Sequence, residues 1–456
     1  MSRYQELIER QRAFVASGAT KELAFREQSL RRLKLEIEKS EAMISAALKA
    51  DLNKSLFEAY STEIGMVLSE ISHTLKHLRR WAKPRRVKTP ITHIGSAGYI
   101  YPEPYGVALI IAPWNYPFNL ALAPLIAALA AGNTVVLKPS ELAPNTSEAM
   151  TRLLRGIFPE EQVAVVEGGV EESTALLKER FDYIFFTGGV QVGKVVMEAA
   201  AKHLTPVTLE LGGKSPCIVH HDADLTLTAK RIIWGKCLNA GQTCVAPDYL
   251  LVHKQVKDAL VRELKAQLHV AYGESAPSHP DFPKIINRRH FDRVASYLQN
   301  GTVLLGGRTD EEALRIEPTL LGDVLPDAPV MQDEIFGPIL PVIEYDQVEE
   351  AIRFVNRRPK PLALYLFSRS DEVQKRVLEE TSFGGGCVND TIMHMASPYL
   401  PFGGVGESGI GGYHGQAGFE LFSHQKSVLK QTTLFDLPFR YPFTKDALKK
   451  MKRFLK

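Results

Sequence analysis

Cysteine is scarce in this chain, with four in 456 residues: Cys217, Cys237, Cys244 and Cys387. No two are spaced as C-x-x-C, which argues against a redox dithiol or a zinc ribbon, and four are too few for a disulfide framework; a reducing, cytoplasmic setting is expected. Charge of one sign is also missing. With 55 basic and 52 acidic residues and a net charge of +3, nothing draws the chain to nucleic acid in general. Long hydrophobic runs are absent. The longest, residues 120–131, contains Pro124 and falls far short of the roughly 20 residues a bilayer requires, so no membrane span is expected. The charged N-terminus lacks the apolar core of a signal peptide. His73 and His77 are four apart, but Thr74 stands where a metalloprotease helix carries its glutamate, and no metal site is expected.

What is present is an α/β alternation. A chain of this length exceeds one ordinary core, and 45% hydrophobic with 23% charged residues describes a globular protein of about two domains. Apolar residues at helical spacing (Leu30, Leu33, Ile37, Ile44, Leu48) predict helices over residues 3–82. The basic stretch 83–88 reads as a connector, and residues 89–104 as a hairpin turning at 95–98. Residues 106–113 form an apolar run of the doubly buried kind. A helix from Asn119 to Gly132 and a strand over 134–138 complete a βαβ unit, which continues through strands near 163–167, 183–187 and 207–211. This is a doubly wound, Rossmann-like pattern. A second α/β region follows, with strands near 218–219, 249–253, 303–305 and 339–343 and a helix over 256–268. The glycine-rich stretch 403–412 is expected to be a loop, either flexible or pressed close to other backbone. Residues 447–456 form a short basic amphipathic helix.

Two stretches stand out chemically. Gly241-Gln242-Thr243-Cys244-Val245-Ala246-Pro247 holds a cysteine between a turn and a proline, where a nucleophile can be presented. Glu210 ends a strand just before two glycines and is a candidate general base. Gly188, Gly189 and Gly193 follow a strand and open a helix, which lets backbone amides approach a phosphate or makes a bare packing turn; G-x-G-x-x-G is not met. A lone cysteine in so long a chain is as a rule an inert buried side chain, and Cys217, Cys237 and Cys387 keep that reading.

Seven segments in order change the weight on Cys244. Ala112-Pro113-Trp114-Asn115-Tyr116-Pro117-Phe118, Leu137-Lys138-Pro139-Ser140-Glu141, Phe186-Thr187-Gly188, Leu209-Glu210-Leu211-Gly212-Gly213-Lys214, Gly241-Gln242-Thr243-Cys244, Glu334-Ile335-Phe336-Gly337-Pro338 and Pro401-Phe402-Gly403-Gly404 resemble the motif series of the aldehyde dehydrogenase superfamily. Cys244-Val245-Ala246-Pro247-Asp248-Tyr249 and the compact length resemble its class 3 branch.

The resemblance implies a Rossmann-like cofactor domain (residues 1–83 and 105–211) and a second α/β catalytic domain (212–412). It also implies a small β element for bridging and oligomerisation (84–104 and 413–435) and a tail (436–456). It implies NAD(P)-dependent oxidation of aliphatic or aromatic aldehydes to carboxylic acids through a Cys244 thiohemiacetal and thioester. Asn115 would stabilise the oxyanion with the Cys244 backbone N–H, and Glu210 would activate the hydrolytic water. The cofactor, NAD with NADP possible, would meet Trp114, Lys138, Glu141, Thr187, Gly188, Gly189, Gly193, Leu211, Glu334 and Phe336, with Glu334 either holding the nicotinamide ribose or sharing the base role. Pro124 lies where some superfamily members carry a lysine proposed to assist proton release, so that route is not expected. Unlike membrane-anchored class 3 enzymes, the chain shows no hydrophobic C-terminal extension. A cytoplasmic homodimer is the expectation. The rivals are a coenzyme-A-acylating aldehyde dehydrogenase, a cysteine-dependent esterase or hydrolase, and a catalytically silent structural relative.

Overall fold

The computed structural model describes residues 2–455, and its two large sheets follow from the apolar runs. The first has six strands in the order Gly409–Ile410, Val207–Glu210, Tyr183–Thr187, Val107–Ile111, Thr134–Lys138, Val163–Val165. The last five run parallel, and Gly409–Ile410 is antiparallel to Val207–Glu210. Strand alternation sends Leu109, Val136, Ile184 and Phe186 to one apolar cluster and Ala108, Ile110, Leu137 and Phe185 to another. Chain order reverses beside Val107–Ile111, so the crevice between its carboxyl end and that of Tyr183–Thr187 is where a doubly wound sheet takes a ligand.

Helix Asn119–Ala131 is buried along its whole length and fills one face of this sheet. Gly132 ends it at φ +96°, where a Cβ would sit 2.8 Å from the Thr20 carbonyl oxygen and the Arg26 guanidinium. The N-terminal helices Leu23–Lys39 and Glu41–Leu52 bury Leu30, Leu33, Ile37, Ile44 and Leu48 in the same cluster, as their spacing requires, and helix Gly65–Trp81 adds Val67, Ile71 and Leu78.

The second sheet has seven strands in the order Thr302–Leu305, Thr319–Gly322, Ile339–Tyr345, Tyr249–His253, Pro216–Val219, Ala363–Phe367, Gly385–Val388. Only its first pair is antiparallel. The strands Thr319–Gly322, Ala363–Phe367 and Gly385–Val388 carry no distinctive alternation and escape the sequence reading. The cluster behind the first sheet continues into the second through Cys217, Val219, Leu250, Val252 and Tyr365.

Three expectations are corrected. The basic segment is not a plain connector: Arg85–Val87 pairs with Ser96–Pro104, which also pairs along nine residues with Ser423–Gln431. Gly98 therefore lies inside a strand, and the reversal falls in residues 88–95. Cys387 is half-buried, 3.6 Å from His394 Nδ1, whereas Cys217 and Cys237 are buried. Finally, part of the glycine-rich stretch leaves the second region to become the edge strand of the first sheet.

That stretch is pressed against backbone. A Cβ on Gly403 would lie 2.1 Å from Gly411 O, and one on Gly404 2.1 Å from Ser408 O. His73 and His77 are packed: their rings lie 4.3 Å apart and each stands 5.7 Å from the Trp81 ring. Among the described residues no group of His, Cys, Asp or Glu has a metal-site arrangement, and no helix is long and apolar enough to cross a membrane.

Because the backbone beside Gly404 has nowhere to go, Gly404→Ala is expected to cost about 1–3 kcal/mol. Gly156, near the end of helix Pro144–Ile157 with nothing within 4 Å of a built Cβ, should instead gain about 0.5–1 kcal/mol as alanine. Denaturant unfolding of the two variants checks the contrast.

Candidate active site

The cysteine turn is made by backbone that few sequences adopt. After helix Leu225–Cys237, Asn239 and Ala240 are left-handed, and Gly241 follows at φ +74° with its α-carbon against Gly337 O. Two consecutive non-glycine residues at positive φ need outside support. It comes from buried polar side chains. Asn239 N donates to Glu58 Oε1 at 2.7 Å, and Gln242 Nε2 donates to Asn239 O and Lys284 O while its Oε1 accepts from Ile286 N. Cys244 lies just beyond, half-buried.

Asn115 is delivered by the turn after strand Val107–Ile111 and is 3% exposed. Its Nδ2 donates to Gln242 O at 3.1 Å, its carbonyl accepts from Asn239 Nδ2 and Lys54 Nζ, and the neighbouring Tyr116 hydroxyl lies 2.7 Å from Thr243 Oγ1. The asparagine turn and the cysteine turn are thus one hydrogen-bonded unit. Beneath it lies an ion pair with both side chains wholly buried, Lys54 Nζ to Glu63 Oε1 at 2.5 Å. Lys54 caps the Tyr116 ring at 3.9 Å, and Glu63 Oε2 accepts from Phe118 N and Asn119 N.

Glu210, at the end of its strand, is 2% exposed, and neither carboxylate oxygen has a partner. Burial alone pushes its pKa well above the usual carboxylate range. Burial likewise pushes the Cys244 thiol up, with smaller contributions in the same direction from Glu334 and then Glu210. Glu334 is also raised, first by burial and then by Asp248, against the pull of Lys214, the Gly213 N–H and Lys236. Gly212 gives it room, since a Cβ there would fall 2.1 Å from Glu334 Oε2.

The residues expected at the cofactor divide into those that face the crevice and those that do not. Thr187 Oγ1, at the switch-point strand end, is buried without a partner, and Gly189, the exposed residue that opens helix Val190–Ala201, has nothing within 4 Å of a built Cβ. An orphaned hydroxyl beside open space fits an incoming polar ligand. Gly188 N donates to Glu210 O, and a Cβ on Gly188 would meet the Phe186 ring. Gly193 is not in the turn: it lies inside the helix and presses on Leu211, whose side chain would be 2.7 Å from an added Cβ. Leu211 N in turn donates to Ser408 O.

Lys138 is a buried strand-end residue rather than a solvated one, donating to Pro139 O at 2.7 Å and to the half-exposed Glu141 at 3.4 Å. Phe336, at φ +49°, stands edge-on to Trp114 with ring centroids 5.3 Å apart, and His290 lies 5.1 Å from the same indole.

Several residues of the site carry no sequence signal. Lys54 lies in the short loop after helix Glu41–Leu52, and Glu58 and Glu63 in the helical turns that follow, none of them in a motif. Lys236 reads as an ordinary helix lysine but is 2% exposed with no hydrogen-bond partner on its amine; burial lowers its pKa to about 8, against the partial support of Asp248.

Residues 4–428 match the model of the aldehyde dehydrogenase family. The 4,4'-diaponeurosporen-aldehyde dehydrogenase of Staphylococcus aureus is 47% identical over 447 residues, 98% of this chain and 97% of that protein. The rat protein named aldehyde dehydrogenase, dimeric NADP-preferring, is 48% identical over 435 residues, covering 95% of this chain and 96% of its own. Among solved structures, the substrate-bound state of the S. aureus AldH superposes with a TM-score of 0.98 at 46% identity, covering all of both chains. The chain belongs to the aldehyde dehydrogenase family and is an NAD(P)-dependent oxidoreductase that acts on the aldehyde group.

Proposed function

We propose that Cys244 is the nucleophile, Asn115 and the Cys244 backbone N–H the oxyanion donors, and Glu210 the base that activates the hydrolytic water. The observation that carries this is the hydrogen bond from Asn115 Nδ2 to Gln242 O, two residues before the cysteine, together with a buried Glu210 carboxyl that has no hydrogen-bond partner. The Cys244 sulfur attacks the aldehyde carbon, forming a C–S bond and moving the carbonyl pair onto oxygen, where the Asn115 amide donates to the alkoxide. When bound, the nicotinamide would supply the two-electron acceptor for the hydride of the breaking C–H bond, leaving the carbon as the Cys244 thioester. Glu210 then takes a proton from water as the oxygen adds to the thioester carbon and the C–S bond breaks, releasing the acid and the thiolate.

A buried, unpartnered carboxylate suits that last step because desolvation makes it a stronger base than a solvated glutamate. One N–H of the Asn115 amide stays on Gln242 O while the other is available to the alkoxide when it forms, so that second donation is realised in the transition state.

For the cofactor, Lys138 and Glu141 are assigned to the adenosine ribose, Thr187, Gly188 and Gly189 to the pyrophosphate side, and Glu334, Phe336 and Trp114 to the nicotinamide side; Gly193 and Leu211 support the wall. Glu141 beside Lys138 places negative charge where a 2′-phosphate would be repelled, so NAD is preferred with NADP accepted. Comparing kcat/KM for the two tests this, and an NADP preference above tenfold overturns it.

The substrates are apolar aliphatic or aromatic aldehydes, tested by a panel followed through reduced-cofactor absorbance. An acyl-thioester product formed only with coenzyme A would favour the acylating rival. We further propose a cytoplasmic homodimer. It is supported by four unpaired thiols, by the nine-residue edge strand Ser423–Gln431, and by a relative named as dimeric. A monomer mass in sedimentation refutes the dimer. The domain limits (residues 1–83 with 105–211, 212–412, 84–104 with 413–435, and 436–456) remain part of the proposal, with the edge strand Gly409–Ile410 reassigned to the first unit.

Cys244→Ala is expected to abolish NADH formation while leaving NAD binding intact by calorimetric titration. Glu210→Gln should give a burst of NADH and then turn over about 10²- to 10⁴-fold more slowly, with the thioester trapped and visible by mass spectrometry. In the parent, thioester hydrolysis should rise with pH through a limb above the ordinary carboxylate range, and that limb should vanish in Glu210→Gln.

The Lys236 amine has the opposite linkage. With a folded pKa near 8 against 10.5 unfolded, its charged form costs stability fully below pH 8, a cost that fades as pH rises toward 10.5. Lys236→Met should therefore melt higher than the parent at pH 7, with the gap closing by pH 10.

A further inference from the structure

Lys214 and Asp248 form an ion pair whose side chains are 8% and 4% exposed, with Nζ 2.5 Å from Oδ2. The two residues follow closely on the proposed base and nucleophile: Lys214 is four residues after Glu210, and Asp248 four residues after Cys244. Their remaining hydrogen bonds go to a third segment. Lys214 Nζ donates to Val330 O at 2.8 Å and to Asp333 O at 3.0 Å, and Asp248 Oδ1 accepts from Ile335 N at 3.0 Å. The pair thus grips the backbone on both sides of Glu334. Asp248 N also donates to Ser215 O, which joins the two gripping strands to each other.

A solvated ion pair would hold nothing this way, because water would satisfy the same carbonyls. A pair removed from water costs desolvation energy that hydrophobic residues of similar volume would avoid, so its retention here calls for a function other than stability.

We propose that Lys214 and Asp248 are positioning residues that set the Glu334 carboxylate at the nicotinamide side of the site by tying its segment to the stretches that follow Glu210 and Cys244. This rests on the reading of Glu334 as a cofactor contact. The geometry gives the pair that role because it alone hydrogen-bonds the residues before and after Glu334 from a single buried point. Arg293, which also reaches Glu334 O and Ile335 O, approaches from helix Arg288–Ser296, outside the two motifs.

The test compares Glu334→Gln, the double variant Lys214→Met with Asp248→Asn, and the triple variant, all as full-length protein, by NAD titration, single-turnover hydride transfer and thermal melting. Removing both charges leaves neither one buried alone, so the double variant should melt within a few degrees of the parent. Even so it should bind NAD about tenfold more weakly and transfer hydride more slowly, as Glu334→Gln does, because a misplaced contact loses its orientation. The triple variant should be no worse than the double.

A double variant with parent-like NAD affinity and hydride transfer overturns the proposal and leaves the pair purely structural. So does a triple variant in which the two effects simply multiply. If Glu334→Gln itself leaves NAD binding and hydride transfer unchanged, the cofactor role of Glu334 fails first and the positioning role with it. Should the double variant not fold, Asp248→Glu keeps the charge pair but displaces the acceptor from Ile335 N–H; an unchanged NAD affinity there also overturns the proposal.

Discussion

One hydrogen bond, from the Asn115 side-chain amide to the Gln242 carbonyl, joins turns that belong to different halves of the molecule. Asn115 leaves the carboxyl end of a strand in the six-stranded sheet, whereas Gln242 follows a helix packed on the seven-stranded one. Keeping both in register requires the backbone beneath to be rigid, and rigidity at a buried turn means that each polar group is satisfied. The Lys54–Glu63 pair, Glu58, Asn239 and Gln242 satisfy most of them, with Asn239 Oδ1 left without a partner. Their burial is costly in isolation, and together they hold the cysteine turn in its left-handed conformation.

Against that satisfied scaffold, the unsatisfied groups are conspicuous. Both Glu210 oxygens, Thr187 Oγ1 and the Lys236 amine are buried without partners. They cluster at strand and helix ends facing the crevice or close to it, the usual location of groups kept free for a reactant. Three acidic groups share the site, and each is pushed toward its neutral form chiefly by burial. The division of labour between the two carboxylates then follows from their surroundings. Glu210 has no partner, which supports its proposed role as base, while Glu334 feels the raising charge of Asp248 against the pull of Lys214, the Gly213 N–H and Lys236, which supports its proposed role as a fixed contact.

Much of this was legible beforehand where local rules govern. The strands Thr134–Lys138, Tyr183–Thr187 and Tyr249–His253 are unbroken β-type runs doubly buried in parallel sheets, and they form where the pattern places them. Gly132 ends its helix for the steric reason its position suggests. The reading failed where tertiary contact overrode local pattern. Arg85–Val87 is basic and short, yet it pairs because Ser96–Pro104 offers it an edge. Gly193 looks like part of a phosphate turn but is a glycine because Leu211 leaves it no room for a side chain. The partners of Lys54 and the burial of Lys236 are set by packing between segments that are remote in sequence, and nothing in a lysine's neighbours announces that it will be buried.

Taken alone, the chain determined its α/β alternation and which strands would be doubly buried, because those depend on period and turn chemistry within a few residues. Its ordered motifs also determined the family and named Cys244, Glu210 and Asn115. Only the tertiary structure decided that Gly409–Ile410 of the glycine-rich stretch is an edge strand, that a buried cation underlies the asparagine turn, and that Lys214 and Asp248 meet across Glu334. Those outcomes depend on which backbones approach one another, and the desolvation that gives such contacts their strength exists only once the two sheets have closed over them.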